Sequence, residues 1–290
     1  MLLNTAETRL SIMVMIARQF LGMEEYTLSE KHLKASLALK SESNDVDRSL
    51  MGMKLIGLVD DAEKGDDFLK LSEKSVTAIK EGLNSFVQHV RTQVLASANN
   101  TTEWGSQEGA RDLTSSLAYY LSLPFSETGS NFAELNNNQI RDFGKREQGR
   151  VVRGDEQWLA FYRWTCALGF GWLDLKGKLI PDPTVALLDI LPSIFEKKTV
   201  LDADVFIEEI SKILPVLDGG EYQKFVRENG LKVYEEPPRA LSDGLSFALL
   251  NLEKKGEISL LDKADAGDKV MEFSSSVRKD KFSEVEYCDE

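Results

Sequence analysis

The residues that come closest to a catalytic signature are Pro181-Asp182 and Glu196-Lys197-Lys198. Written as PD…ExK, they match a nuclease pattern in which two carboxylates hold Mg²⁺ and a lysine helps activate water. Asp182, Glu196 and Lys198 would carry that chemistry, provided the acidic pair sits on adjacent strands. The intervening TVALLDILPSIF instead has helical spacing at Val185, Leu188 and Leu191, and Pro192 would disrupt a central strand. Charges flanking a helix are the plainer reading. The two histidines, His32 and His89, fall singly in predicted helices with no second ligand at metal spacing. There is no G-x-x-x-x-G-K-[ST], G-x-S-x-G or H-E-x-x-H. Cys166 lies in a predicted helix without a neighbouring histidine and reads as a small core residue. We therefore assign no catalytic residue, cofactor or metal from the sequence.

Nucleic-acid binding is the other chemistry to weigh. Arg141–Arg153, RDFGKREQGRVVR, sets Arg141, Lys145, Arg146, Arg150 and Arg153 against Asp142 and Glu147, a local net of +3. Such a run can hold a phosphate backbone or form a solvated loop. Arg48 and Lys54 are further candidates on the helix that would face DNA. The same helix carries Asp45 and Asp47, and the turn beyond it carries Asp60, Asp61, Glu63, Asp66 and Asp67. Carboxylates there would face phosphates. Any DNA contact is expected to be weak, nonspecific and carried by 141–153.

The elements that would position these residues repeat one figure. In Asn44–Leu71, Val46, Leu50, Met53 and Gly57 fall at i, i+4, i+7 and i+11, followed by two short strands around EKGDD. Leu245, Leu249, Leu252 and Gly256 repeat that spacing, with strands expected at Ile258–Leu261 and Val270–Phe273. Trp158, Tyr162, Thr165 and Gly169 give a weaker copy. A helix, a glycine stop and a hairpin form the core of a winged helix. The expected fold is mainly α with small β-hairpins (α+β), as tandem winged helix-turn-helix domains. We divide the chain into a winged-helix domain at 1–74, a connecting helix and loop at 75–104, and a middle helical or winged-helix-like domain at 105–181. A C-terminal winged-helix domain at 182–273 and a disordered tail at 274–290 follow. Ser75–Leu95 reads as one long amphipathic helix and Thr184–Phe195 as another.

Composition narrows the class. With 48 acidic and 35 basic residues the net charge is −13. Residues 182–290 alone hold 24 acidic and 14 basic, or −10. That field repels phosphate at long range. No apolar run approaches the length of a membrane span, and no secretory leader is visible. Two cysteines make no disulfide framework, so a cytoplasmic setting is expected. Six aromatics between 158 and 172 (Trp158, Phe161, Tyr162, Trp164, Phe170 and Trp172) read as core, with any exposed surplus suiting a protein interface.

Two segments carry a family resemblance: CALGFGWLDLKGKLIPDPTVALLDILPSIF (166–195), and LPVLDGGEYQKFVREN (214–229) with LSDGLSFALLNLEKKGEISL (241–260). Together with the N-terminal helix and hairpin, the chain resembles the DpdG-type proteins of bacterial clusters that insert 7-deazaguanine derivatives into DNA and restrict unmodified DNA. The matching motifs determine the fold and transfer no catalytic residue. The resemblance implies a non-catalytic adaptor in a cytoplasmic phage-defence or restriction system, beside ATPase, helicase or nuclease subunits. The alternatives are a winged-helix transcriptional regulator and, further off, a divergent PD-ExK nuclease.

Overall fold

The computed structural model describes residues 2–3, 8–37, 44–62, 67–101, 103, 108–145, 149–229, 240–263, 269–272 and 279–288. Among these the chain is mainly helical with small sheets. It packs as two discontinuous units: Met1–Leu113 with Gly154–Leu168, and Thr114–Arg153 with Gly169–Glu290.

The first unit opens with α1 (Leu10–Phe20), β1 (Thr27–Ser29), α2 (Glu30–Leu37), α3 (Asp45–Leu55), β2 (Val59–Asp61) and β3 (Phe68–Leu71). β3 lies between β1 and β2, antiparallel to both, pairing Leu69 with Leu28 and Lys70 with Asp60. α1 is apolar on nearly every side and packs against α3. A β-carbon at Gly52 of α3 would meet Met13 Cε at 2.8 Å and Thr8 Cγ2 at 3.0 Å, so glycine sets this close approach. α3 ends as its spacing predicts. Gly57 takes a left-handed φ of 70°, and the Leu58 N–H donates to the Met53 carbonyl at 2.9 Å.

The long helix expected over 75–95 is two, α4 (Glu73–Glu81) and α5 (Leu83–Leu95), broken at Gly82 with φ 136°. The break turns Leu83 out to solvent, while Val76, Ile79, Phe86, Val90 and Val94 stay buried.

α6 (Arg111–Leu121) begins in the first unit and ends in the second. Every residue from Ala110 to Leu121 is buried, so its polar groups need protein partners. Asp112 accepts the N–H of Leu2 at 3.2 Å and of Leu3 at 2.7 Å. Burial pushes this carboxyl up, against the pull of those donors. Further along, the Ser116 hydroxyl donates to the Val151 carbonyl at 3.0 Å, and the Tyr119 hydroxyl to Asp142 at 2.8 Å. The Tyr120 hydroxyl is shared between the carbonyls of Leu179, at 2.7 Å, and Thr128, at 2.8 Å.

α7 (Phe132–Phe143) lies in the second unit, and α8 (Asp155–Ala167) returns to the first. The hairpin of β4 (Gly171–Leu173) and β5 (Leu179–Pro181) belongs to the second unit. The middle helix–glycine–hairpin spacing is thus shared between two units and makes no single module. α9 (Thr184–Leu188) and α10 (Leu191–Ile194) replace the single helix expected at 184–195, with Asp189-Ile190 between them.

Then come β6 (Val200–Asp202), α11 (Ala203–Ile213), α12 (Glu221–Asn229), β7 (Ala240–Leu241) and α13 (Asp243–Lys255). β8 (Ile258–Leu261), β9 (Lys269–Glu272), β10 (Lys279–Phe282) and β11 (Glu284–Tyr287) end the chain. α13 repeats the glycine stop, with Gly256 at φ 80° and the Glu257 N–H on the Leu252 carbonyl at 3.0 Å.

Two expectations are corrected here. The strand at 258–261 does not pair with the one near 270. Instead β11 lies between β6 and β8, and β9 lies between β10 and β7. Residues 279–287 of the expected disordered tail are two strands. Phe282 and Val285, fully buried, supply the apolar contacts that this charged segment hides in its sequence.

Two substitutions test this packing by denaturant unfolding. Leu50→Ala, at a nearly inaccessible position on α3, is expected to cost ~2–5 kcal/mol. Asp112→Ala leaves the Leu2 and Leu3 N–H groups unpaired in the interior and is expected to cost roughly 2–4 kcal/mol. An unchanged midpoint in either variant would contradict the burial described.

Candidate functional site

The outward face of α3 is built from Asp45, Asp47, Arg48, Met51 and Lys54, all but the half-buried Asp45 exposed. Its charges are largely answered within the unit. Lys54 Nζ lies 2.8 Å from Asp61 Oδ1 and 3.6 Å from Glu30 Oε2. Lys34 Nζ lies 2.6 Å from Glu30 and 3.2 Å from Asp47, and Arg9 lies 3.7 Å from Asp45. Asp61 thereby raises Lys54, while the Lys34 ammonium holds the Glu30 carboxyl below the usual range. These partly exposed pairs contribute little stability. They do place carboxylates on a surface that would otherwise present ammonium groups. Asp60 and Asp67 beside β2 and β3 are exposed as well.

The second candidate, residues 141–153, follows α7. Arg141 is engaged on α7 itself, with Nε 2.7 Å from Asp142 Oδ1 and Nη2 2.7 Å from Glu127 Oε2. Past Gly144 the bonds change character. Arg150 Nη2 donates to the Lys145 carbonyl at 3.0 Å, and Arg153 Nε to the Arg150 carbonyl at 3.4 Å. A carbonyl orders a guanidinium without cancelling its charge. Lys145 is exposed, and Arg146 lies outside the described residues. The loop is clamped from behind by the fully buried Gln139. Its Oε1 accepts the N–H of Val151 at 2.9 Å and of Val152 at 3.0 Å, and its Nε2 donates to the Val152 carbonyl at 2.9 Å. Nothing in the composition of the run marks Gln139. Only its helical position facing an apolar Val-Val pair hints at the role.

The nuclease-like set is not assembled as that chemistry requires. Asp182 follows β5 and acts as a local brace. Its Oδ1 accepts the N–H of Thr184 at 3.0 Å and also the Thr184 hydroxyl, and its Oδ2 accepts the Trp172 indole N–H at 3.0 Å. Glu196 and Lys198 lie in an exposed turn after α10 rather than on a neighbouring strand. Among the described residues no group of three or more His, Cys, Asp or Glu is placed to hold a metal ion.

His89 Nε2 lies 3.1 Å from Ser75 Oγ in the first unit. Burial pushes the imidazole down, with the Lys74 charge adding to the effect. His89 lines a cleft of about 370 Å³ with Lys70, Lys74 and Gln93. Asp60 and Glu73 line it too, so its charge is mixed. Burial raises the Cys166 thiol, as for a packing residue rather than a nucleophile. Of the aromatic group, Trp158, Phe161, Trp164 and Phe170 are core, and Trp172 is exposed. Among the described residues no helix is long and apolar enough to cross a membrane.

A model of the DpdG-like family matches residues 1–266 of the 290-residue chain. Comparison with curated proteins and with solved structures gave no significant match. The match covers α3, the 141–153 loop and the β4–β5 hairpin alike. The chain belongs to the DpdG-like family.

Proposed function

We propose that this chain is a non-catalytic accessory subunit of a bacterial 7-deazaguanine DNA-modification and restriction system. It acts in the cytoplasm and docks partner proteins such as an ATPase, helicase or nuclease. The family supports a place in a multi-protein system.

We read both ends of the chain as winged helices. In each, a first strand follows a helix and precedes the glycine-stopped one, and the last strand inserts between it and the second. The orders are β1-β3-β2 and β6-β11-β8. In each, the helix before the second strand ends in the same left-handed glycine stop, Gly57 and Gly256. β7, β9 and β10 then form a second small sheet inserted into the C-terminal module.

One observation carries the adaptor reading. The helix that would enter a DNA groove, α3, sets its nearby cations Lys34 and Lys54 against Glu30, Asp47 and Asp61. A phosphate approaching that face meets carboxylates, which favours a protein surface as its partner. If DNA is touched, the 141–153 loop suits it better, because Arg150 and Arg153 are ordered by carbonyls.

Co-expression with the other proteins of its cluster should yield a stoichiometric complex by size-exclusion chromatography with light scattering. A chain that stays alone and binds one duplex tightly as a dimer would instead support the regulator. Fluorescence anisotropy with short DNAs should show weak binding alike for all sequences. At about 0.9 per phosphate on duplex DNA, two or three contacts give a slope of log affinity against log salt of roughly −2 to −3. Replacing Arg146, Arg150 and Arg153 with Ala should flatten that slope, and the DNA should remain uncut in Mg²⁺. Loss of binding in Arg48→Ala, with the triple variant unaffected, would make α3 the reader.

A further inference from the structure

The β4–β5 hairpin displays large apolar side chains to solvent. Trp172 is 45% exposed, Leu173 42%, and Leu175 at the tip wholly so. The hairpin is nevertheless rigidly held. At its base Leu179 is buried, and its carbonyl accepts from the buried Tyr120 hydroxyl. On its flank the Trp172 indole N–H is fixed by Asp182. At its tip Asp174 Oδ1 accepts the N–H groups of Lys176 and Lys178, each at 2.8 Å, and Gly177 supplies the left-handed φ of 78° that closes the turn. Two tip leucines and a braced tryptophan form a preorganised projection, not a loose loop. Exposed apolar groups clustered in this way mark interaction sites, and a fixed tryptophan is the usual anchor.

Charge selects the occupant. Lys176 and Lys178 follow Leu175 in the same turn, and among the described residues neither has a carboxylate partner. The one acid in the turn, Asp174, is turned onto backbone N–H groups. A two-fold pairing of this hairpin with its own copy would set those lysines against themselves. The fit is therefore to a different protein.

We propose that the β4–β5 hairpin is the docking finger for another subunit, one whose apolar pocket receives Trp172 and Leu175 and whose rim carries carboxylates for Lys176 and Lys178. This rests on the adaptor reading and names its contact surface.

The full chain, carrying a photo-crosslinking benzoylphenylalanine in place of Leu175, is co-expressed with the other proteins of its cluster. The expected crosslink joins one non-self subunit, at a peptide with apolar residues flanked by Asp or Glu. Leu175→Glu, and Lys176→Glu with Lys178→Glu, should each weaken that complex by roughly tenfold or more with an unchanged Tm. Leu175→Ser, which adds no charge, should also weaken it and covers any folding defect of the glutamate variant. A crosslink to a second copy of this chain, or an intact complex in both Leu175 variants, overturns the finger while leaving the adaptor standing. A wild-type chain that assembles with none of these proteins overturns both.

Discussion

Burying a polar helix is the constraint on which this structure turns. Every residue of α6 is withdrawn from water, and its sequence, RDLTSSLAYYL, is far from apolar. Such a helix is stable only where its side chains meet partners fixed by other elements. Asp112 takes the N–H groups of Leu2 and Leu3, which ties the start of the chain to the first unit. Tyr119, Tyr120 and Ser116 do the equivalent in the second unit, reaching Asp142, the Thr128 and Leu179 carbonyls and Val151. Two of these bonds bear on the proposed surfaces. Val151 belongs to the clamped basic loop, and Leu179 to the base of the projecting hairpin. The candidate interfaces are therefore held by the same buried helix that organises the core.

Charge has been arranged with comparable consequence. The chain is acidic overall, and its cations are placed unequally. Around α3 they face carboxylates a few ångströms away. Past α7, Arg150 and Arg153 donate to carbonyls, and at the β4–β5 tip Lys176 is exposed and Lys178 half-buried. The first arrangement lowers the local positive field. An α3 face so neutralised suits protein contact on our reading, with any hold on DNA left to the loop.

Local rules made much of this legible. The i, i+4, i+7 spacing with a terminal glycine located α3 and α13, because a left-handed stop follows from backbone sterics alone. Gly82 was harder to read, since its neighbours continue the apolar stripe across the break. Strand pairing was harder still. β10 and β11 sit in a stretch dominated by charge, and their buried residues, Phe282 and Val285, are isolated apolar positions whose value appears only when β9 pairs with the first and β6 and β8 flank the second. The basic run stood out by composition, whereas the withdrawal of Arg141 by Glu127 and Asp142 is a tertiary fact. Trp172 belongs to a cluster that is otherwise core, and the bracing of Trp172 and Thr184 by the Asp182 oxygens is visible only in the fold.

The central claim is that carboxylates keep α3 off DNA. The direct test is duplex binding by fluorescence anisotropy for the wild type and for Glu30→Gln/Asp47→Asn/Asp61→Asn, with folding checked by circular dichroism. The account predicts that the triple variant gains a salt-dependent affinity that Lys54→Ala then removes. Equal binding by wild type and triple variant, or tight sequence-selective binding by the wild type that Lys54→Ala abolishes, would contradict it.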